Sequence, residues 1–132
     1  MDSTEQIQLA RQILEYEYTT AITVEQLSNR VALSRFHLIR RFCHAYRQTP
    51  HQYLIHLRIN KAKDLLVNSE LSITDICFRV GYESLGSFST LFCKTVGIPP
   101  SAYRQSGQNI REASYIPLCN YYLHDLNHTL DP

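Results

Sequence analysis

No acidic residue falls between Glu25 and Asp64, and the gap holds Arg30, Arg35, Arg40, Arg41, Arg47, Arg58, Lys61 and Lys63. A formal net charge of +1 over 132 residues would by itself argue against nucleic acid. The distribution argues the other way, because cations gathered on one segment leave a local electrostatic footprint. Other absences narrow the field. The four cysteines, Cys43, Cys77, Cys93 and Cys119, stand without CxxC spacing, so they read as small structural hydrophobes rather than zinc ligands or a disulfide framework. No apolar run approaches the roughly 18 residues of a membrane span. The start, MDSTEQIQ, lacks the basic and apolar regions of a signal peptide. A cytoplasmic chain without membrane contact is the expectation. Phosphate loops, nucleophile elbows and paired carboxylates are all missing, so neither an enzyme nor a cofactor is expected. His124 and His128 have the i, i+4 spacing of a zinc pair, but no third ligand is evident, and no metal is expected.

What is present is a repeat. Leu27, Ser28 and Val31 match Ile76, Cys77 and Val80; after one inserted residue at the turn, Leu38, Phe42, Cys43, Pro50 and Tyr53 match Phe88, Phe92, Cys93, Pro100 and Tyr103. Each copy reads as a short helix, a tight turn, a second helix and a proline-started segment, the order of a helix-turn-helix unit. A first amphipathic helix is expected from Thr4 to Tyr18, with Ile7, Ala10, Ile13 and Leu14 at helical spacing. Thr23 and Gln26 have capping-box spacing, and Val24, Leu27 and Val31 form the buried stripe that follows. Ser34 caps the next helix, with Leu38 and Phe42 inward and Arg35, Phe36, Ile39 and Arg40 outward. Pro50 opens a connecting helix to about Asn68, with Tyr53, Leu54, Leu57, Ala62, Leu65 and Leu66 apolar. In the second copy Ser72 pairs with Asp75, Gly81 turns left-handed, Ser84 or Glu83 opens the second outward helix and Gly97 stops it.

The stretch ITDICFRVGYESLGSFSTLFCKTVGIPPSAYR, with LSRFHLIRRFCHAYRQTPHQYLIHLRINKAKDLL before it, resembles the DNA-binding domain of the AraC/XylS family of bacterial transcription regulators. The resemblance covers residues 23 to 104. It implies an all-α fold of two helix-turn-helix subdomains joined by a long linker helix. The corresponding organisation is an N-terminal helix and first subdomain over 1–49, the linker over 50–69, the second subdomain over 70–104 and a tail over 105–132. Only about two dozen residues precede the first unit. The chain is thus similar to short stand-alone members, such as activators of multidrug-resistance and superoxide responses, or is a fragment of a longer protein; Met1 favours the former.

Carried over position by position, the resemblance implies base contacts from Arg35, Phe36, Ile39 and Arg40 in the first reading helix, and from Leu85, Gly86, Ser87, Ser89 and Thr90 in the second. Arg40 is the strongest candidate, since a guanidinium can bridge guanine O6 and N7; its alternative is a phosphate clamp. Phe36 and Ile39 would pack on thymine methyls or sugar edges, with core packing the alternative for Phe36. The family often has an arginine or lysine where Thr90 stands and polar amides where Leu85 and Gly86 stand, so the second reader is expected to be the weaker. Phosphate contacts fall to Arg41, Arg47, Lys61 and Lys94. Arg58 is assigned either to DNA or to a salt bridge with Asp64 or Asp75.

The implied partners are double-stranded DNA, bound as a monomer, and RNA polymerase. The alternative is a protein-interaction module with weak or non-specific DNA binding that docks a partner through residues 109 to 130. Small-molecule sensing would need a pocket around Tyr115, Cys119, Tyr121 and Tyr122.

Overall fold

The computed structural model describes residues 2–107. The docking surface and the tyrosine-rich pocket of the alternative readings, and the His124/His128 pair, fall in the tail and lie outside that range. The described residues form α1 (Ser3–Glu17), α2 (Val24–Arg30), α3 (Arg35–Tyr46), α4 (Pro50–Asn68), α5 (Ile73–Arg79), α6 (Leu85–Val96) and α7 (Pro100–Ser106), with no strand among them. The all-α expectation holds. None of these helices is long and apolar enough to cross a membrane. Two compact units divide between His56 and Leu57, inside α4.

In the first unit α1, α2 and α3 pack on one another around Ile7, Ala10, Leu14, Leu27, Val31, Leu38 and Phe42. Local chemistry fixes each boundary. Asp2 caps α1 by accepting from Glu5 N–H. Thr23 and Gln26 form both arms of the capping box, at 3.1 and 3.0 Å. Ser28 is buried and its hydroxyl donates to Glu25 C=O, so a polar residue sits at the crossing without an unmet hydrogen bond. Ser34 Oγ accepts from His37 N–H at 3.1 Å. Val24, expected in the buried stripe, is only half-buried.

The second unit repeats the turn bonds of the first. Leu33 N–H donates to Ser28 C=O and Tyr82 N–H to Cys77 C=O; Arg47 N–H donates to Cys43 C=O and Gly97 N–H to Cys93 C=O, both at 2.8 Å. Phe42 meets Tyr53, and Phe92 meets Tyr103, edge-on with centroids 5.6 Å apart in each case. Gly81 has the expected positive φ, and Gly97, expected to stop α6, has one too. Their counterparts in the first copy, Ala32 and Arg47, take φ of 57° and 61° without being glycine.

The repeat also extends to a helix that the sequence pattern hid. Ile59, Ala62 and Leu66 of α4 are buried at the spacing of Ile7, Ala10 and Leu14 of α1. Gln6, one residue before Ile7, donates its side-chain amide to Val31 C=O at 2.8 Å. Arg58, one residue before Ile59, lays its guanidinium 5.0 Å from the centroid of Tyr82, just past the matching turn. Thus the second half of α4 serves the second unit as α1 serves the first, while its start, through Tyr53 and Leu54, closes the first. The expected stripe is corrected accordingly: Ile55 and Ile59 are buried, whereas Tyr53, Leu57 and Leu65 are half-buried. Arg104 completes the second unit by donating to Leu66 C=O at 3.0 Å and Ser69 C=O at 3.4 Å, carbonyls at the end of α4 that its helix leaves unmet.

Candidate nucleic-acid interface

Leu38 and Phe42 are fully buried and fix how α3 faces its unit. The opposite side then carries Arg35, Phe36 and Arg40 into solvent, with Ile39 half-buried at their edge. Phe36 is 74 % exposed, so the core-packing alternative for it is removed. Residues i, i+3 and i+4 share a helix face, which groups Phe36, Ile39 and Arg40. Arg35, the first residue of α3, also lines a half-open cleft of about 370 Å³ with Thr23, Glu25, Leu54 and His51, and so sits at the border of that face.

The cations differ in how far the protein already uses them. Arg30 pairs with Glu17 at 2.7 Å, and Lys61 with Asp64 at 3.5 Å. The hydrogen bond from Asn68, with help from Lys61, draws the Asp64 carboxyl below its ordinary pKa. Arg35, Arg40, Arg41 and Arg47 are exposed and make no ion pair among the described residues. An unpaired surface guanidinium has lost none of its capacity to take a phosphate or a base edge. Arg47 stands just past the end of α3 in a left-handed conformation.

The second outward helix, α6, is built the same way. Ser84 Oγ accepts from Ser87 N–H at 3.2 Å and bonds the Ser87 hydroxyl at 2.9 Å. Phe88 and Phe92 are fully buried; Leu85, Gly86, Ser87 and Thr90 are exposed, with Ser89 half-buried. Leu85 is the large apolar group on that face, 41 % exposed. Lys94 is exposed farther along the helix. Arg79 on α5 was not singled out from the sequence. It is exposed without an ion pair among the described residues, although its counterpart Arg30 is paired. The repeat alignment could have flagged it.

The thiols do other work. Burial pushes the Cys43 thiol above its ordinary pKa, against the pull of Arg47, so it stays protonated at neutral pH. Burial does the same to Cys77, whose Sγ donates to Ser84 C=O at 3.3 Å and ties α5 to the start of α6.

A family profile described as a helix-turn-helix domain matches residues 27–106. An uncharacterised HTH-type transcriptional regulator of Escherichia coli K12, YdiP, is 40 % identical over 104 residues, covering 76 % of this chain and 34 % of that protein. The transcriptional activator RhaS of Escherichia fergusonii is 38 % identical over 92 residues, covering 70 % of this chain and 33 % of RhaS. The chain thus spans about a third of the length of these curated relatives. Among solved structures, the DNA-binding domain of AdpA in complex with a target DNA superposes with TM-score 0.69 at 29 % identity, covering 80 % of this chain and 93 % of that one. The C-terminal domain of AraT, a response regulator of Geobacillus stearothermophilus, gives 0.74 at 30 % identity, covering 76 % and 84 %. These relatives are regulators rather than enzymes, and the chain belongs to the AraC/XylS family of helix-turn-helix transcription regulators.

Proposed function

We propose that this chain is a sequence-specific DNA-binding transcription regulator, an activator working in the bacterial cytoplasm, that binds as a monomer and inserts α3 and α6 into two adjacent major-groove segments. The observation that carries this reading is the outward face of α3, where Arg40, Arg35 and Arg41 make no ion pair among the described residues and surround an exposed Phe36. A helix held from behind by Leu38 and Phe42, with cations and an apolar ring in front, suits a groove lined by phosphates and base edges. The AdpA domain solved with DNA supports the mode, and RhaS, a transcriptional activator, supports the activating role; RNA polymerase is the partner an activating role would need.

Arg40 is the base reader, with Phe36, Ile39 and Arg35 beside it. Leu85, Gly86, Ser87, Ser89 and Thr90 form the second reading face, which has no bidentate group. Most of the sequence preference therefore comes from the first unit. Arg41, Arg47, Lys94 and Arg79 hold phosphates. Lys61 joins them by exchanging Asp64, a solvent-exposed pair that costs little to break.

The deciding experiment selects binders from random duplex DNA and follows their affinity against salt. The expected result is a motif spanning two successive groove faces, dominated by one of them. Affinity should fall with a log–log slope of about −0.9 for each phosphate neutralised. The absence of any enriched motif, with affinity insensitive to salt, would refute the proposal.

A further inference from the structure

We propose that the cleft beside the start of α3 is a binding site for a small apolar amino acid, whose carboxylate takes Arg35 and whose ammonium takes Glu25, and that this ligand competes with DNA for Arg35. The competition rests on the DNA-reading function proposed above; the site itself does not.

The cleft, about 370 Å³, stands at the small end of ligand pockets, which run from about 300 to 1,000 Å³. Buried Leu14, Leu27 and Leu54 and half-buried Val24 give it an apolar lining. Two opposite charges line the same space, Arg35 from the first turn of α3 and Glu25 from the first turn of α2. Both are exposed, and neither makes an ion pair among the described residues, with the other or with any third group. A cation and an anion that share a cleft without meeting each keep the capacity for a charge-assisted hydrogen bond. A ligand of one sign would satisfy one of them and face a like charge in the other. An amino acid carries both signs, and an apolar side chain for the leucine lining.

The repeat supplies the contrast. Arg35 corresponds to Leu85, one residue before the matching pair Phe36 and Gly86, while Glu25 corresponds to Thr74 and Leu54 to Arg104. Both charges are gone from the second unit at these places. Arg104 reaches instead to the C=O of Leu66, the counterpart of Leu14. The second unit thus uses a side chain of its own where the first has an open cleft.

Titration calorimetry of the full chain with L-leucine, in the absence of DNA, tests the site. Saturable binding is expected, weaker by about tenfold for isocaproate, which lacks the ammonium, and for isopentylamine, which lacks the carboxylate. Glu25→Gln should weaken leucine about tenfold without weakening isocaproate, whereas Arg35→Gln should weaken both. Both positions are exposed and outside the core, so circular dichroism of the two variants should match the parent. Saturating leucine should lower affinity for the duplex enriched by selection about fivefold or more, and Glu25→Gln should raise the leucine concentration this takes. No saturable binding of leucine or phenylalanine, or binding that neither substitution alters, would overturn the site. Binding that leaves DNA affinity unchanged would overturn the competition. If leucine binds but no duplex is enriched, the site stands and the DNA-reading function falls.

Discussion

Arg40 and Gly86 pose the sharpest questions at the scale of single residues. Removing the Arg40 guanidinium leaves the fold untouched, since it bonds to nothing in the described residues, yet should cost about 1 to 3 kcal/mol of discrimination at one or two base pairs. Competition binding of point-substituted sites measures it, and an unchanged preference would reduce Arg40 to a phosphate clamp. Gly86 stands in the first turn of α6 with open space beside it, so the fold bears the conformational cost of a helical glycine without needing one. Gly86→Ala should raise unfolding stability by about 0.5 to 1 kcal/mol in urea titrations. A simultaneous loss of DNA affinity would show that the α6 backbone runs close to its target. Outward positions of α3 were legible in advance, because Leu38 and Phe42 at i and i+4 determine which side is inside. Which cations were already spent was not legible. Arg30 meets Glu17 from a different helix, a tertiary fact that spacing does not carry.

At the scale of helices and turns, capping chemistry was read directly: Thr23, Ser34, Ser72 and Ser84 each accept the amide three residues on. The left-handed turns were read only where glycine marks them. Ala32 and Arg47 occupy the same conformation in the first copy because the flanking helices impose it, and tertiary packing has no local sequence sign. The two copies should therefore respond oppositely. Ala32→Gly relieves side-chain strain at φ 57° and should stabilise by up to about 1 kcal/mol. Gly97→Ala, at φ 99° with nothing near the new Cβ, should destabilise by about 1 to 2 kcal/mol through the backbone alone. Tyr53 links α4 to α1 through a 2.5 Å hydrogen bond to Glu15. Burial first, then that bond, raises its pKa from 10.0 to about 12. The folded chain then keeps a proton that the unfolded chain gives up, so this stability is fully present below pH 10 and is lost as pH rises toward 12. Urea unfolding on either side of pH 10 should show the decline, and Tyr53→Phe should flatten it.

For the molecule as a whole, α4 is the decisive element, and here the sequence was hardest to read. It is apolar on more than one side: Leu54 and Ile55 go to one unit, Ile59, Ala62 and Leu66 to the other. A single periodic stripe fitted to the whole helix averages these two demands and selects Leu57 and Leu65, which satisfy neither fully. Asn60→Pro should break α4 just beyond the division at His56 and Leu57, at a cost of about 3 kcal/mol or more. The second unit, deprived of its leading helix, should then lose hydrogen-exchange protection at lower urea than the first. Equal loss in both would mean that the units unfold as one.

Because α4 ends one unit and begins the other, the described residues contain seven helices where two separate four-helix copies would need eight. The two copies are therefore overlapping rather than tandem, like words sharing a syllable. A change in the shared helix is inherited by both readers at once, whereas α3 and α6, each belonging to one unit only, can diverge freely. The gap between Phe36 and Gly86 is the divergence such an arrangement permits, and the close match of the turns and caps around them is the constraint it maintains.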